Sequence, residues 1–307
     1  MKRSLIYITS LALVLSSCDK NEEWPQPDNG SAVEITATVA ADATTRVNTE
    51  SDATQFLAGD EIYLENVTLA SNHSRRSSIY RYDGAGKWTP KYGNYVAWFE
   101  QVNNGIAVMN EFEACAPTTE GTTISDFILP ADQSTIEKLR LADYMTASTS
   151  DKPDTDKFVD LKFSHQMAKI KITITDYIVQ LEDYPTDVRI LSPGKGYADG
   201  TVQSGETAVG AYVQLDDIGK YHSFTAVIAP GKYSDSPLLE FTIGGTKYTV
   251  QAPDVLKNDG VEAGKYYRMY IRVTKPKIYI QEFNVYPWET FDLGEVGLEE
   301  TSNNAAS

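Results

Sequence analysis

The sequence predicts an all-β protein made of two β-sandwich domains in tandem, on three observations. Its 307 residues are about twice the usual length of one domain, which suggests two domains or one large all-β unit. Tyrosine (19) outnumbers phenylalanine (10), and threonine and valine are plentiful, a composition that favours pleated strands. Short segments of alternating apolar and polar residues recur between turn residues, as they do in β-sandwiches.

The composition also limits the class of partner. With 41% hydrophobic and 23% charged residues the chain is globular, and it is long enough to bury a sizeable core. Its formal net charge of −16 creates a field that repels phosphate backbones. We therefore expect no nucleic-acid partner.

The first 18 residues have the organisation of a bacterial lipoprotein signal. Lys2 and Arg3 precede an apolar stretch over residues 5–15, which is too short to span a bilayer. Residues 15–18, with the sequence LSSC, form a lipobox that predicts cleavage between Ser17 and Cys18 and lipidation of Cys18. The alternative is a buried cysteine beside an ordinary cleavage site. The lipobox interpretation makes the chain a lipoprotein of the cell outer membrane.

A polar, proline-containing stretch over residues 18–32 follows the lipobox and is expected to serve as a tether. Its acidic residues either mark export to the cell surface or belong to an ordinary solvated linker. After removal of the signal, Cys115 is the one cysteine beside the lipidated one, so the fold must hold without an internal disulfide.

Strands are predicted wherever apolar residues alternate with polar ones. The first is the segment that carries Val33, Ile35, Ala37 and Val39. Further strands are expected at 62–64, 79–82, 95–98, 106–116, 212–215, 224–229, 267–273 and 277–288, with one short helix at 136–145 and a hairpin at 239–250 around Gly244 and Gly245. The polar stretch 148–156 places the domains at 33–158 and 159–290, followed by a polar tail at 291–307.

The alternation changes phase once, near Ala168. Leu161, Phe163, His165 and Met167 share one face of a strand, whereas the isoleucines at 170, 172 and 174 share the other face. A regular strand cannot keep both sets buried. We therefore expect either a bulge or a strand that passes from one sheet to the other.

No pattern of catalytic or metal-ligating residues stands out, so no catalytic residue, metal or cofactor is predicted. The three histidines, at 73, 165 and 222, have no zinc-site spacing, and His165 is expected to be a hydrogen-bonded core residue. Aspartates at 151, 154, 156 and 160 resemble a calcium loop but lack the glycine and terminal glutamate of an EF-hand. Carboxylate pairs for glycoside hydrolysis have no sequence signature here.

Four aromatic residues close together in the sequence could stack on a sugar ring: Trp88, Tyr92, Tyr95 and Trp98. The alternative, which we favour, is that they belong to the sandwich core and to hairpin pairing. A monomeric surface lipoprotein that binds a host or dietary glycan is therefore the second functional hypothesis.

Several short motifs resemble those of the fimbrillin-like proteins of Bacteroidetes, which are lipoprotein subunits of type V pili. They are FEACAP at 112–117, LPADQS at 129–134, ADYMTA at 142–147, LKFSHQMAKI at 161–170 and AGKYY at 263–267, followed by Trp288. Each motif is weak alone, but their order and spacing extend over residues 33–290. This sequence differs from the family pattern at Cys115 and Ala116, where aromatic residues are expected, and in its long polar tail after Trp288.

This resemblance implies two transthyretin-like sandwiches and assembly with other pilus subunits by strand exchange, in support of adhesion or biofilm formation. In that scheme a protease cleaves after an arginine, here between Arg46 and Val47, and so removes the first strand. The loss would leave an apolar groove and two unpaired strand edges for a C-terminal strand of the next subunit. In this chain Ile278, Ile280 and Val285 are the candidate donor residues.

Overall fold

The computed structural model describes residues 32–39, 55–69, 71, 73–100, 102–103, 106–118, 122–153, 158–177, 185–215, 222–273 and 278–288. Nearly all of its regular structure is β, as the sequence predicts. Within these residues no helix is long and apolar enough to cross a membrane.

The described residues of the N-terminal part form ten strands and one helix. They are β1 Glu34–Val39, β2 Glu61–Asn66, β3 Ser77–Tyr82, β4 Trp88–Pro90, β5 Val102–Asn103, β6 Ile106–Ala107, β7 Asn110–Ala116, β8 Phe127–Ile128, α1 Ile136–Leu141, β9 Met145–Asp151 and β10 Phe158–His165. Seven of them form one sheet in the order β1-β10-β9-β7-β2-β3-β4, while β5 pairs with β6.

In the C-terminal part the residues that the structure describes form nine strands and one helix. They are β11 Ala168–Tyr177, β12 Thr186–Ala198, β13 Thr201–Gly210, β14 Tyr212–Leu215, β15 His222–Ile228, β16 Pro237–Ile243, β17 Thr246–Gln251, α2 Asp254–Asn258, β18 Lys265–Val273 and β19 Ile278–Pro287. One sheet has the order β14-β15-β11-β18-β19, and a second has the order β13-β12-β16-β17 with β8 also paired to β12.

Two hydrophobic clusters fill these sheets. The first contains the buried side chains of the seven-stranded sheet, among them Ile62, Phe112 and Leu161. The second contains those of the two C-terminal sheets, among them Ile172, Phe224 and Met269. Cys115 is fully buried in the second cluster, and burial raises the pKa of its thiol to about 12.

The change of phase near Ala168 is a passage of the chain between sheets. β10 ends at His165 in the seven-stranded sheet, and β11 begins at Ala168 between β15 and β18 of the other domain. Each strand keeps its own regular alternation, so Phe163 and Ile170 are both fully buried although they belong to opposite phases. The second of the two predicted explanations is therefore the right one.

The chain passes from the N-terminal sheet to the C-terminal sheets after residue 165, later than the predicted boundary at residue 158. β10 pairs with β1 and β9, so residues 159–165, assigned from the sequence to the second domain, lie in the N-terminal sheet. Their side chains Val159, Leu161 and Phe163 pack in the N-terminal cluster because β10 alternates in register with β1. In the other direction, Phe127, Leu129 and Tyr144 from the N-terminal part pack in the C-terminal cluster.

Most predicted strands are confirmed, but some predicted elements have another form, and the six strands β4, β5, β8, β9, β12 and β13 were not predicted. The hairpin of β16 and β17 turns at Gly244 and Gly245, which have φ values of 54° and 74° that glycine adopts freely. The segment 95–98 makes a single bridge, Ala97 to Ala32, instead of a strand. The predicted helix ends at Leu141 because the chain turns at Ala142 and enters β9 at Met145, and helix α2 was not predicted.

Candidate functional site

Strand β1 forms one edge of the N-terminal sheet and is the element that strand exchange would replace. It runs parallel to β10, with Ile35 opposite Val159, Ala37 opposite Leu161 and Val39 opposite Phe163. Upstream of β1, the Val33 amide donates to the Val96 carbonyl at 2.9 Å. Two chain segments therefore hold this strand in place.

The apolar side of β1 is buried and the opposite side is exposed. Val33, Ile35 and Val39 are 1%, 4% and 7% exposed, and Ala37 is half-buried. On the outer side, the Thr36 hydroxyl donates to Asp160 Oδ1 at 3.1 Å. The four residues predicted as the displaced strand thus lie on one side, and three of them are fully inside the core.

The groove that the loss of β1 would leave is lined by large apolar side chains of the neighbouring strand β10 and of other segments, which we call its apolar floor. Val159, Leu161 and Phe163 are all fully buried, and the same cluster holds Trp88 and Trp98. Trp98 contacts Phe112 edge to face, with ring centroids 5.0 Å apart. Loss of β1 would uncover this apolar floor along the length of β10.

The two backbones that the loss of β1 would leave unpaired differ in length. β1 is the terminal strand of its sheet, so its removal frees the hydrogen-bonding edge of β10 on one side and the short stretch at residues 96–97 on the other, which pairs with residues 32–33. An incoming strand would therefore meet one full strand edge and one short backbone stretch, instead of two full strand edges.

A cavity of about 180 Å³ continues the groove beyond the end of β1. Its lining includes Val39 at the end of β1 and the apolar side chains of Phe56, Ala116, Leu141 and Met145. At its rim Arg140 Nη2 donates to both carboxylate oxygens of Asp60 at 2.9 Å, which ties α1 to the turn before β2. The sequence gives no local signal for this cavity, since its walls come from four separate segments, at Val39 and within 55–61, 116–118 and 140–145.

A family model described as fimbrillin-like matches residues 28–288, which is most of the chain. The chain belongs to the fimbrillin-like family. This result confirms the resemblance that the short motifs carry, and it favours a structural subunit of a fimbria over a catalytic protein. No curated protein is detectably similar to this fimbrillin-like chain in sequence.

Solved structures share the fold of this fimbrillin-like chain. A crystal structure described as a putative cell adhesion protein from Bacteroides uniformis has a TM-score of 0.56 at 19% identity, covering 85% of this chain and 100% of that one. Another with the same description, from Bacteroides ovatus, has a TM-score of 0.57 at 16% identity, covering 85% and 99%. At these identities the likeness is one of fold.

The candidate donor residues of the fimbrillin-like chain lie on β19, which is paired along its length with β18 of its own domain. Ile278 and Ile280 face Val273 and Ile271, and Val285 faces Tyr267, so all three point toward the core side of the sheet. A bulge at Gln281 makes this possible, because an even spacing would otherwise put Val285 on the other side.

Incomplete burial distinguishes these donor candidates from the residues of β1. Ile280 is 39% exposed and Val285 is 45% exposed, whereas Ile278 is partly buried against the core. β19 is also the terminal strand of its sheet, so one of its edges has no strand partner within the described residues. The strand is thus attached on one side and incompletely covered.

The processing residues lie outside the described part of the chain. This holds for Ser17 and Cys18 of the lipobox, for Arg46 and Val47, and for the tail 291–307. Arg46 lies between Val39, where β1 ends, and Gln55, where the described residues begin again. It therefore belongs to the connection between β1 and the rest of the domain. Lipidation and cleavage stay predictions.

The aromatic residues of the glycan hypothesis are divided between core and surface. Trp88 and Trp98 are 7% and 3% exposed and belong to the N-terminal cluster. Tyr95 is partly buried against the same cluster, and Tyr92 alone is exposed. The tryptophans therefore form no sugar-stacking surface, as the core interpretation predicted.

His165 is the packed, hydrogen-bonded core residue that the sequence predicts. Its Nδ1 lies 2.7 Å from Asp143 Oδ1, and its ring stacks on Trp288 with centroids 4.4 Å apart. Among the described residues no group of three or more His, Cys, Asp or Glu side chains could hold a metal ion. Of the proposed calcium loop, Asp154 and Asp156 fall outside that range.

Proposed function

We propose that this chain is a structural subunit of a surface fimbria, assembled by strand exchange after cleavage between Arg46 and Val47. Family membership supports the fimbrial class, and one observation supports the exchange step. A six-residue edge strand and the Val33 that precedes it place three apolar side chains in the core, and the connection of this strand to the rest of its domain contains the arginine.

A domain whose groove is filled again by another strand would be more stable than one whose groove stays empty. Burial of Val33, Ile35 and Val39 contributes roughly 4 to 9 kcal/mol, at about 1.5 to 3 kcal/mol for each side chain. A typical domain has a net stability of about 5 to 15 kcal/mol, so a trimmed domain with an empty groove would be marginal. An incoming strand that pairs with the free edge of β10 and covers its apolar floor would restore that stability.

The proposed donor is β19 of the next subunit, through Ile278, Ile280 and Val285. β19 already carries its apolar residues on one side, is held by one neighbouring strand, and leaves two of those residues partly exposed. Its release from β18 would expose part of the C-terminal core, so donation requires that the groove bind the strand more strongly than β18 does.

The decisive experiment is the substitution Arg46→Ala, with Arg189→Ala as its control. Arg189 is an exposed arginine on β12, far from the groove in the sequence. An arginine-specific protease should convert the wild type and Arg189→Ala into SDS-resistant oligomers, while Arg46→Ala stays monomeric. Monomers after confirmed cleavage at Arg46, or oligomers of undiminished yield from Arg46→Ala, would overturn the proposal.

A competing peptide tests the donor assignment. A synthetic peptide of residues 278–288 should slow the assembly of trimmed subunits, because it would occupy the groove. The same peptide with aspartate in place of Ile278, Ile280 and Val285 should have no effect. Equal inhibition by both peptides would exclude β19 as the donor strand. That result would not bear on the proposed cleavage at Arg46.

We also propose that the subunit is anchored at the outer membrane through a lipid on Cys18. The change Cys18→Ala should abolish incorporation of labelled palmitate and partition into detergent, since the lipid supplies the membrane affinity. Cys115→Ala is the matched control, because that buried thiol is the other cysteine of the chain and should leave both properties intact. Unchanged partition of Cys18→Ala would refute the anchor.

A further inference from the structure

An open cleft of about 290 Å³ lies on the N-terminal sheet, on the side that faces away from the first hydrophobic cluster. Two of its lining residues, Tyr63 of β2 and Ile79 of β3, are directly opposite each other across the strands. The adjacent strand residues Ile62, Leu64 and Tyr80 are buried in that cluster, so both side chains point away from it. The cleft is lined by Tyr63, Ser77, Ser78, Ile79, Tyr92 and Asn94.

The side chain of Tyr63 is held in place by polar and apolar contacts. Its hydroxyl donates to Glu65 Oε2 at 3.0 Å, and the Arg76 guanidinium donates to the other carboxylate oxygen of Glu65. The Tyr63 side chain also packs against the second hydrophobic cluster. A side chain that is already ordered loses little conformational freedom when a ligand binds beside it.

Tyr92 is the exposed aromatic residue of the cleft, and the turn that carries it is anchored. The backbone amide of Lys91 donates to the Ile79 carbonyl at 2.8 Å, and the Lys91 ammonium lies 2.9 Å from Glu61 Oε2. The same ammonium lies over one face of the Tyr92 ring, 5.4 Å from its centroid. Because Tyr92 is 65% exposed, its ring still offers apolar surface to a ligand.

The polar groups of the cleft are uncharged. The partly buried Asn94 supplies both a donor and an acceptor through its carboxamide, and Ser77 supplies a hydroxyl group. Glu61 and Glu65 lie next to Tyr63 in the outward row of β2, and both carboxylates are already paired with cations. Such surroundings favour a neutral ligand over an anionic one.

We propose that this cleft binds one sugar residue of a neutral glycan. Sugar rings combine apolar C–H faces with hydroxyl groups, so they suit a site in which aromatic surface lies beside amide and hydroxyl groups. The sugar ring stacks on Tyr92, and its hydroxyl groups bond to Asn94 and Ser77. The volume is near the lower limit for small-molecule sites, which is about 300 Å³, and so matches a single sugar residue.

The cleft is separate from the groove of β1. It lies on β2, β3 and the turn after β4, at the other end of the seven-stranded sheet from β1. It also faces away from the cluster that contains the apolar floor. Glycan binding therefore requires neither cleavage at Arg46 nor strand exchange, and the failure of either proposal would not bear on the other.

A glycan array is the first test, probed with the full chain purified in detergent. The array carries neutral, sialylated and sulfated oligosaccharides side by side, and the chain should bind neutral ones. Tyr92→Ala should weaken that binding at least about tenfold, whereas Tyr92→Phe should keep most of it because the ring provides the stacking surface. Tyr279→Ala is the matched control, since it removes a tyrosine of β19 that is also more than half exposed.

Three outcomes of the array would overturn the proposal. They are no binding of any neutral oligosaccharide, binding of sialylated or sulfated ones alone, and undiminished binding by Tyr92→Ala. Thermal unfolding of Tyr92→Ala should match that of the wild type, because an exposed side chain contributes little to stability.

Nitration of tyrosine is the second test, and it needs no substitution. With a bound neutral oligosaccharide from the array at saturating concentration, tetranitromethane should nitrate Tyr92 several-fold more slowly than in the free chain. Tyr279 should react equally in both samples. An unchanged rate at Tyr92, or equal slowing of both tyrosines, would place the sugar elsewhere and refute the assignment of the cleft.

Discussion

At the scale of single residues, Gly196 shows why a strand of this domain tolerates one residue type only. It lies on β12 opposite Ile128 of β8, with a φ of +127°. A Cβ atom there would lie 2.0 Å from the Phe127 carbonyl oxygen and 3.0 Å from the Leu129 amide. The contact joins the N-terminal segment 127–129 to the C-terminal sheet, so the missing side chain permits a link between the two parts.

The change Gly196→Ala should therefore lower the free energy of unfolding by more than about 2 kcal/mol, from backbone strain and overpacking together. Gly200→Ala is the control, because Gly200 also has a positive φ, of 69°, but nothing lies within 4 Å of its Cβ position. It should cost about 1 kcal/mol. Urea unfolding of both variants measures the difference, and equal losses would show that the collision with Phe127 is relieved by movement of β8.

At the scale of elements, β1 and β19 are both terminal strands, yet their surroundings differ. β1 lies over a complete apolar floor, whereas β19 carries exposed Ile280 and Val285, a bulge and a terminal proline. Bulges and prolines on edge strands oppose uncontrolled pairing with other chains. β1 contains neither a bulge nor a proline among its six residues. Its outer edge is therefore more open to strand addition than the outer edge of β19.

Truncation of an apolar side chain on β1 should weaken its attachment. Ile35→Ala removes a side chain that is 4% exposed opposite Val159, and should cost about 2 to 4 kcal/mol. Amides of β10 that face β1 should then exchange hydrogen faster, and Arg46 should be cleaved faster. Thr38→Ala, at an exposed position of the same strand, should change stability by less than about 0.5 kcal/mol. Faster hydrogen exchange spread evenly over the amides of both domains would argue against local release of β1.

At the scale of the whole molecule, the two hydrophobic clusters do not follow the order of the chain. Phe127 and Tyr144 stack with centroids 4.7 Å apart inside the C-terminal cluster, although both precede β10 of the N-terminal sheet. The Leu129 amide donates to the Lys195 carbonyl at 2.9 Å. The segment 127–144 therefore completes the C-terminal core from outside its own stretch of sequence.

A chain of residues 159–307 should consequently fail to unfold cooperatively in urea, because it lacks the side chains of Phe127, Leu129 and Tyr144. Addition of a peptide of residues 122–147 should restore part of the cooperativity and the near-ultraviolet circular dichroism of the packed tyrosines. A cooperative transition of the fragment alone, with the stability of the full chain, would show that the segment 127–144 is dispensable.

The sequence by itself determined the fold class, most strands and which side of those strands is buried. A period of two fixes the side of each side chain in a regular strand, so the change of phase at Ala168 indicated either a bulge or a passage between sheets, and the structure shows the passage. Gly244 and Gly245 likewise marked their hairpin, because only a local backbone conformation was at issue. The ordered short motifs were enough to indicate the family.

Only the tertiary structure decided which strands are neighbours. Ile35 and Val159 are separated by more than a hundred residues. The alternation of apolar and polar residues within either strand does not indicate which strand is its neighbour. The same reason explains the membership of Tyr144 in the C-terminal cluster. Local periodicity gives each residue a side of its strand, whereas partners are selected by packing among segments that are distant in the chain.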